Sequence, residues 1–186
     1  YGIYCVSESR YFCSSRTMIE WAVSCGCTFG FDRSNVCGYV AANGDINLLE
    51  DLCSDASVQY SLNERTCKWA AENGQLVMLQ WLRSESHHPC PWDSDIAMHA
   101  AKNGHLSTMQ WIITCTGMNI NAVYNKLGSV LHAASAGGHT SVVEYLLTVP
   151  EINVNLSNRY DENNTALHLA AQNGHTAVCE LLLAVP

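Results

Sequence analysis

The sequence predicts an all-α solenoid of stacked helix–turn–helix repeats. Five times the chain has a pair of small residues, two spacer positions and a glycine, ending at Gly44, Gly74, Gly104, Gly138 and Gly174. These glycines lie 30, 30, 34 and 36 residues apart. A period in this range is typical of stacked repeats, in which each unit needs its neighbours to bury a core. We therefore expect one elongated domain.

The last unit shows how each element is predicted. Thr165 is a suitable N-cap, because its side-chain oxygen can accept from the unpaired amides of the first turn. The helix that follows runs to Asn173, and Gly174 ends it because glycine adopts positive φ without a Cβ clash. An apolar-periodic segment from Ala177 to Leu183 then predicts the partner helix.

The two C-terminal units share the pattern Thr/Ser-x-Leu-His-x-Ala-Ala/Ser-x-x-Gly-His, around His132 and His168. This pattern resembles the ankyrin repeat, whose signature includes Thr-Pro-Leu-His-x-Ala at a period of about 33. Val130 and Ala166 stand in the place of the proline. Without proline the first helical position loses its preset φ, but the helix can still form.

The middle of the chain resembles divergent, Trp-rich ankyrin repeats, which are associated with recognition. The resemblance rests on Trp81-Leu82-Arg83, on Cys90-Pro91-Trp92-Asp93 and on residues 100–106. Trp21 lies 60 residues before Trp81 and predicts a further, degenerate unit. The single predicted domain, 1–186, then has six units, at 1–29, 30–59, 60–89, 90–122, 123–158 and 159–186.

The connections resemble the ankyrin segment Ala-Asp-Val-Asn, which leads into a projecting β-hairpin. The matching segments are Met118-Asn119-Ile120-Asn121 and Ile152-Asn153-Val154-Asn155. Asn favours such turns because its side chain bonds to nearby backbone. The resemblance thus implies an ankyrin-type solenoid with short β-hairpin fingers, the last of them lengthened by residues 158–164.

Charge argues against nucleic acid as a partner. The 186 residues hold 9 Lys plus Arg against 17 Asp plus Glu, a net charge of −8, which repels phosphate backbones. No apolar run reaches the roughly 18 to 20 residues of a membrane span, so we expect neither membrane insertion nor a nucleic-acid partner.

The ten cysteines do not require an oxidised scaffold, because disulfide frameworks mainly stabilise chains too short to form a core. Several occupy repeat positions where a thiol acts as a small hydrophobe. We expect an intracellular, cytoplasmic protein. Two glycosylation triplets, at Asn155 and Asn163, argue weakly for the alternative.

The usual local signatures of enzymes are missing: there is no Gly-x-Ser-x-Gly, no phosphate-binding Gly-rich loop and no His-Glu-x-x-His. The metal candidates are Cys25-Gly26-Cys27 and His87-His88-Pro89-Cys90, whose spacing departs from paired zinc ligands. We expect no catalysis, no cofactor, no metal and no small-molecule substrate. The alternatives are an enzyme or enzyme subunit that uses thiols or a metal, and a permanent structural subunit of a larger assembly.

The resemblance implies a protein-interaction module or scaffold that binds a protein partner through its concave face and fingers. It also implies structural roles for His132 and His168, and for the histidines after the repeat glycines. Family contact positions are the spacers and the finger tips. Matched here, they are Ala42, Glu72, Lys102, Ala136 and Gln172, and then Phe31, Asp32, Pro91, Trp92, Asn125, Lys126, Asp161 and Glu162. The Asn before the glycine, at 43, 73, 103 and 173, is expected to cap its helix.

Overall fold

A computed structural model describes residues 15–17, 19–20, 35–54, 62–84, 91, 93 and 95–185. Among these residues there are ten α-helices and no strand, which confirms the predicted all-α repeat class. The chain divides into two compact units, Tyr1–Asp93 and Ser94–Pro186. The degenerate repeat predicted at 1–29 lies almost wholly outside the described residues.

In the first unit, two helix–turn–helix pairs follow one another: α1 (Val36–Asn43) with α2 (Ile46–Ser54), and α3 (Glu64–Glu72) with α4 (Leu76–Leu82). The first helices, α1 and α3, pack side by side. Gly38 lies at this contact, because a Cβ added to it would lie 2.5 Å from Cε3 of Trp69. Gly38 thus replaces the histidine of the later repeats and leaves room for an indole ring.

The second unit contains three pairs: α5 (Ile96–Lys102) with α6 (Leu106–Thr116), α7 (Val130–Gly137) with α8 (Thr140–Leu147), and α9 (Ala166–Gln172) with α10 (Thr176–Leu183). The first helices form a row in which α7 contacts both α5 and α9, and each second helix packs on its own first helix. The predicted pairing is observed in each of the last three repeats.

Small residues let the first helices pack closely. Ala101 and Ser135 are fully buried at the second position of the small pair. The second helices contribute large apolar side chains to the core, and Met109, Ile112 and Leu146 are fully buried. Because the apolar area is removed from water only when repeats are adjacent, stability depends on the contacts between repeats.

The helix ends follow the predicted chemistry. Gly104 and Gly174 have φ of +79° and +73°, the left-handed conformation that closes a helix without a Cβ clash. Asn103 Nδ2 donates to His99 O at 2.9 Å, and Asn173 Nδ2 donates to Leu169 O at 2.8 Å. The predicted capping role of these Asn residues is confirmed.

The fingers differ from the expected β-hairpins. In residues 95–185 the only pairing of this type is an isolated antiparallel bridge between Asn158 and Asn164. The other connections are turns in which Asn side chains accept from backbone amides two residues on, as Asn125 Oδ1 does from Leu127 N at 2.7 Å. Such local bonds compete with strand ladders, and this explains why the fingers are turns.

The described cysteines are free thiols: Cys37, Cys53, Cys67, Cys115 and Cys179. Cys37 and Cys67 are buried in the first unit, where they pack as small hydrophobes, as expected.

Gly104 and Gly174 form a matched pair for a stability test. Both have positive φ, but a Cβ at Gly104 would lie 2.6 Å from the His139 ring, whereas within the described residues nothing lies within 4 Å of a Cβ at Gly174. Gly104→Ala should therefore lower the free energy of unfolding by well over the roughly 1 kcal/mol that the backbone strain alone costs. Gly174→Ala should cost only about that strain. Urea unfolding checks this, and equal losses would contradict the packing described.

Two serines predict stability changes of opposite sign. Ser135 Oγ is buried and has no hydrogen-bond partner among the described residues. The other four repeats have Ala at this position. Ser135→Ala should raise the free energy of unfolding by about 1 kcal/mol, because it removes an unsatisfied buried hydroxyl. The control is Ser129→Ala, which removes a hydroxyl that lies 2.8 Å from His132 Nδ1 and should lower stability by about 1 kcal/mol. A loss in both variants would contradict the first assignment.

Candidate protein-binding surface

One hydrogen bond recurs between neighbouring repeats, and we name it the inter-repeat clamp. Its donor is the side chain that follows the glycine of one repeat, and its acceptor is the carbonyl two residues before the glycine of the preceding repeat. The bonds are Gln75 Nε2 to Ala42 O at 3.1 Å, His139 Nε2 to Lys102 O at 2.8 Å and His175 Nε2 to Ala136 O at 3.1 Å. Because a carbonyl only accepts, Nε2 of both histidines carries the proton.

The clamp side chain also packs over the glycine of the preceding repeat. The His139 ring occupies the space beside Gly104 and the His175 ring the space beside Gly138, where an added Cβ would lie 2.6 and 2.5 Å from ring atoms. In the first unit, Gln75 lies against Gly44 in the same way. The clamp thus fixes the ends of α1, α5 and α7 against the repeats that follow them.

His132 joins two repeats at the other end of the first helices. Its Nδ1 accepts from the Ser129 backbone N–H at 3.3 Å and lies 2.8 Å from the Ser129 hydroxyl. Its Nε2 lies 3.1 Å from Asn164 O, in the finger of the next repeat. His168 repeats the first arrangement with Thr165, at 3.3 and 2.8 Å. Both imidazoles cap helices, and His132 also positions the next finger.

Asn121 connects the bases of two successive fingers. Its Nδ2 donates to Glu151 O at 2.6 Å, and its Oδ1 accepts from Asn153 N at 2.8 Å. Both side-chain groups are therefore paired with backbone of the following repeat. This reciprocal pairing sets the distance between neighbouring fingers.

The tip of the last finger is a closed loop, residues 158–164. Asn158 N donates to Asn164 O at 2.8 Å, and Asn163 N and Asp161 N both donate to Asn158 O, at 3.1 and 3.0 Å. The Asn158 side chain is fully buried and donates to Lys126 O, at 3.0 Å, in the preceding finger. Glu162 and Asn163 have φ of +47° and +59°, which non-glycine residues adopt at a cost. The hydrogen bonds hold this loop in one conformation.

An aromatic residue and a cation lie together on this loop. Tyr160 is 45% exposed, and the Arg159 guanidinium carbon lies 4.9 Å from the centre of its ring. Arg159 Nη2 also donates to the Tyr160 hydroxyl at 3.0 Å. Exposed tyrosine and arginine are the residue types that contribute most at protein interfaces.

The charges of the second unit are unevenly distributed. Its three Lys and Arg residues are Lys102, Lys126 and Arg159, which are exposed at the end of α5 and on two fingers. Exposed carboxylates lie on the second helices, at Glu144 of α8 and Glu180 of α10, and also in the last finger, at Glu151 and Glu162. The cations of this unit thus lie on the side of the fingers and first helices.

Comparison with family models identifies the repeats. Residues 97–185 match the model described as ankyrin repeats (3 copies). Residues 97–185 are therefore ankyrin repeats. A search of curated proteins found none that matches. Ankyrin repeats generally mediate protein–protein interaction and are typically not enzymes.

Four of the contact positions implied by the ankyrin resemblance are exposed with side chains that bond to no described residue: Lys102, Lys126, Glu162 and Gln172. Pro91 is exposed too, and Glu72 and Ala136 are half-buried. Phe31, Asp32 and Trp92 lie outside the described residues.

Ala42 requires a correction. The resemblance implies that it faces a partner, but it is only 7% exposed, and its carbonyl accepts from the Gln75 side chain, which packs beside Gly44. A side chain that small and that buried cannot contribute contact area.

Asn125 and Asp161 have structural contacts as well as their positions on fingers. Asn125 Nδ2 donates to Asp95 Oδ2 at 2.6 Å, and Asp95 also lies 3.6 Å from Nε2 of the buried His99. Asp161 Oδ2 accepts from Asn164 Nδ2 at 3.3 Å. Asn125 therefore fixes its finger to the preceding ankyrin repeat, and its amide is not available to a partner.

Sequence analysis did not single out Arg159, Tyr160 or Gln75. Arg159 and Tyr160 lie in the lengthened finger, where an aromatic residue next to a cation is a sequence signal for a contact between them. Gln75 occupies the position of His139 and His175 when the ankyrin units are aligned on their glycines. That alignment would have predicted its role.

The metal candidates of the sequence, Cys25-Gly26-Cys27 and residues 87–90, all lie outside the described residues. Within the described part of the chain, no group of three or more His, Cys, Asp or Glu side chains could hold a metal ion. The same part contains no helix of the length and apolarity needed to span a membrane.

Burial lowers the pKa of His132, since its imidazolium would lose water, and this exceeds the opposing effects of the bonds to Asn164 and Leu156 and of the Asp161 charge. A histidine whose pKa is lower in the folded state binds fewer protons than in the unfolded state, where the value is about 6.5. Its contribution to stability is therefore complete above pH 6.5 and is lost as pH falls toward the folded-state value.

We predict that the free energy of unfolding decreases from pH 7.5 to pH 5.5 and that His132→Gln removes part of this decrease. Urea unfolding at the two pH values measures it. His168→Gln is the matched control, because that ring is exposed in the equivalent position. An identical pH dependence in wild type and His132→Gln would contradict the role assigned to burial.

Proposed function

We propose that this chain is a non-catalytic protein-interaction module or scaffold, which binds a protein partner through the face formed by its fingers and first helices. The observation that carries the proposal is the fixed finger tip at 158–164, which exposes Tyr160 and Arg159 on a loop closed by backbone hydrogen bonds. A surface that is already ordered loses little conformational entropy on binding.

The contact residues in this proposal are those left exposed after the structural contacts are assigned. They are Lys102, Lys126, Glu162 and Gln172, with Arg159 and Tyr160 added. The cations among them favour association with an acidic region of the partner, because opposite potentials steer encounter.

The proposal extends to the first unit. There, α1 to α4 have the same helix pairing and the same clamp, from Gln75 to Ala42 O. We infer that residues 30–89 are ankyrin repeats of divergent sequence, ahead of the region that matches the family model. The reducing, cytoplasmic location stays a prediction.

The test begins with a partner captured from native extract by cross-linking and identified by mass spectrometry, followed by measurement of its affinity for purified variants. Lys126→Ala with Tyr160→Ala should weaken binding about tenfold or more, which corresponds to about 1.4 kcal/mol or more. The matched control is Glu144→Ala with Glu180→Ala on the second helices, and it should change affinity less than twofold. The proposal fails if the control pair weakens binding and the finger pair does not, or if no protein is captured specifically.

A further inference from the structure

The first helix pair of the first unit brings two thiols together. Cys37 is the second residue of α1, and Cys53 is the second-last residue of α2. The two helices contact each other, and they run antiparallel because only Gly44 and Asp45 separate them. The beginning of α1 and the end of α2 therefore lie at the same end of the pair, away from the turn at Gly44.

The two thiols are bonded to each other but differ in access to solvent. Their hydrogen bond lowers the pKa of Cys53, which means that Cys37 S–H donates and Cys53 Sγ accepts. Cys37 is only 1% exposed, whereas Cys53 is exposed. Cysteines whose side chains point apart can be joined only by moving the backbone. These two sulfurs already meet, and only one of them can be reached from solvent.

The bond also activates the accessible thiol. The Cys37 donor stabilises the thiolate of Cys53 and so lowers its pKa, and this effect exceeds the opposing effect of partial burial. The thiolate is the form of cysteine that attacks a disulfide. Cys53 is therefore suited to react first, and Cys37 is in place to react with the product.

The pairing of thiols is particular to this repeat. When the five units are aligned on their glycines, only the unit with Gly44 has cysteine at both positions. The equivalents of Cys37 are Cys67, Ala97, Leu131 and Leu167, and those of Cys53 are Arg83, Ile113, Leu147 and Leu183. In the repeat at 123–158 two leucines occupy the same places, so packing between the helices does not require a thiol at either one.

We propose that Cys37 and Cys53 form a redox modification site, at which a low-molecular-weight disulfide of the glutathione type converts the two thiols into one intramolecular disulfide. The Cys53 thiolate attacks one sulfur of the external disulfide, and one external thiolate leaves. The Cys37 sulfur then loses its proton and attacks Cys53 Sγ, and the second external thiolate leaves. The two cysteines lose two electrons and two protons in total, which the external disulfide gains as it becomes two thiols.

The new bond would fix the end of α2 against the beginning of α1. Neither cysteine belongs to the contact residues of the proposed function, so this inference does not depend on that function.

The test treats the reduced full chain with oxidised glutathione at neutral pH, blocks the remaining thiols by alkylation and digests with trypsin and a Glu-specific protease. Cleavage after Arg33, Glu50 and Glu64 releases peptides 34–50 and 51–64, which contain Cys37 and Cys53 as their only cysteines. Mass spectrometry should find these two peptides linked. The linked form should exceed the mixed disulfide of 51–64 with glutathione about tenfold or more, because the second step is intramolecular.

Variants separate the two steps. Cys37→Ala should reverse the ratio, so that Cys53 accumulates as the mixed disulfide with glutathione. Cys53→Ser should leave Cys37 unmodified, because the external disulfide cannot reach a buried sulfur. The matched control is Cys67→Ala, which changes a fully buried thiol at the equivalent position of the next repeat and should keep the link at the wild-type level. Circular dichroism checks that each variant retains its helix content.

Three results would overturn the proposal. Peptide 51–64 of the wild type could remain as the mixed disulfide with glutathione. It could be linked to a peptide that carries a cysteine other than Cys37. The link between 34–50 and 51–64 could form in equal yield when the chain is unfolded in urea, which would show that the contact in the folded chain is not its cause.

Discussion

The structure depends on a side chain of one repeat that bonds to a carbonyl of the repeat before it and covers that repeat's glycine. His139 and His175 do this in the second unit, and Gln75 does it in the first. The glycine is needed twice, for its positive φ and for the space that the ring occupies. Since neither helix of a repeat can bury its apolar side alone, this contact aligns the surfaces that form the core.

The same constraint decides which residues remain for recognition. Histidines that would suggest metal binding or catalysis in isolation are paired with carbonyls or with the hydroxyls of helix caps. Asn125 is likewise committed to Asp95, at the start of α5, and Asn158 to the preceding finger. What stays exposed is a small set of long polar side chains on first helices and fingers, together with the Arg159 and Tyr160 pair on a finger whose backbone is already ordered.

The repeat register could be read from the sequence because it rests on glycines and small pairs, whose roles are local and steric. The Asn caps were predictable for the same reason. The buried state of Ala42 was not, because it depends on Gln75, which is 33 residues away. The fingers are not the strand pairs that the family resemblance implies, because Asn side chains at their bases bond to their own backbone two residues on. The adjacent Arg159 and Tyr160 are visible in the sequence, but the way the loop exposes them depends on two left-handed residues, Glu162 and Asn163, whose conformation no motif predicts.

The most direct test of the clamp is a double-mutant cycle between Gly104→Ala and His139→Ala, with free energies of unfolding measured by urea denaturation. If the His139 ring fills the space beside Gly104, Gly104→Ala should cost at least about 1 kcal/mol less in the His139→Ala background, where only backbone strain remains. Strictly additive losses would show that the two residues do not interact and would contradict the account.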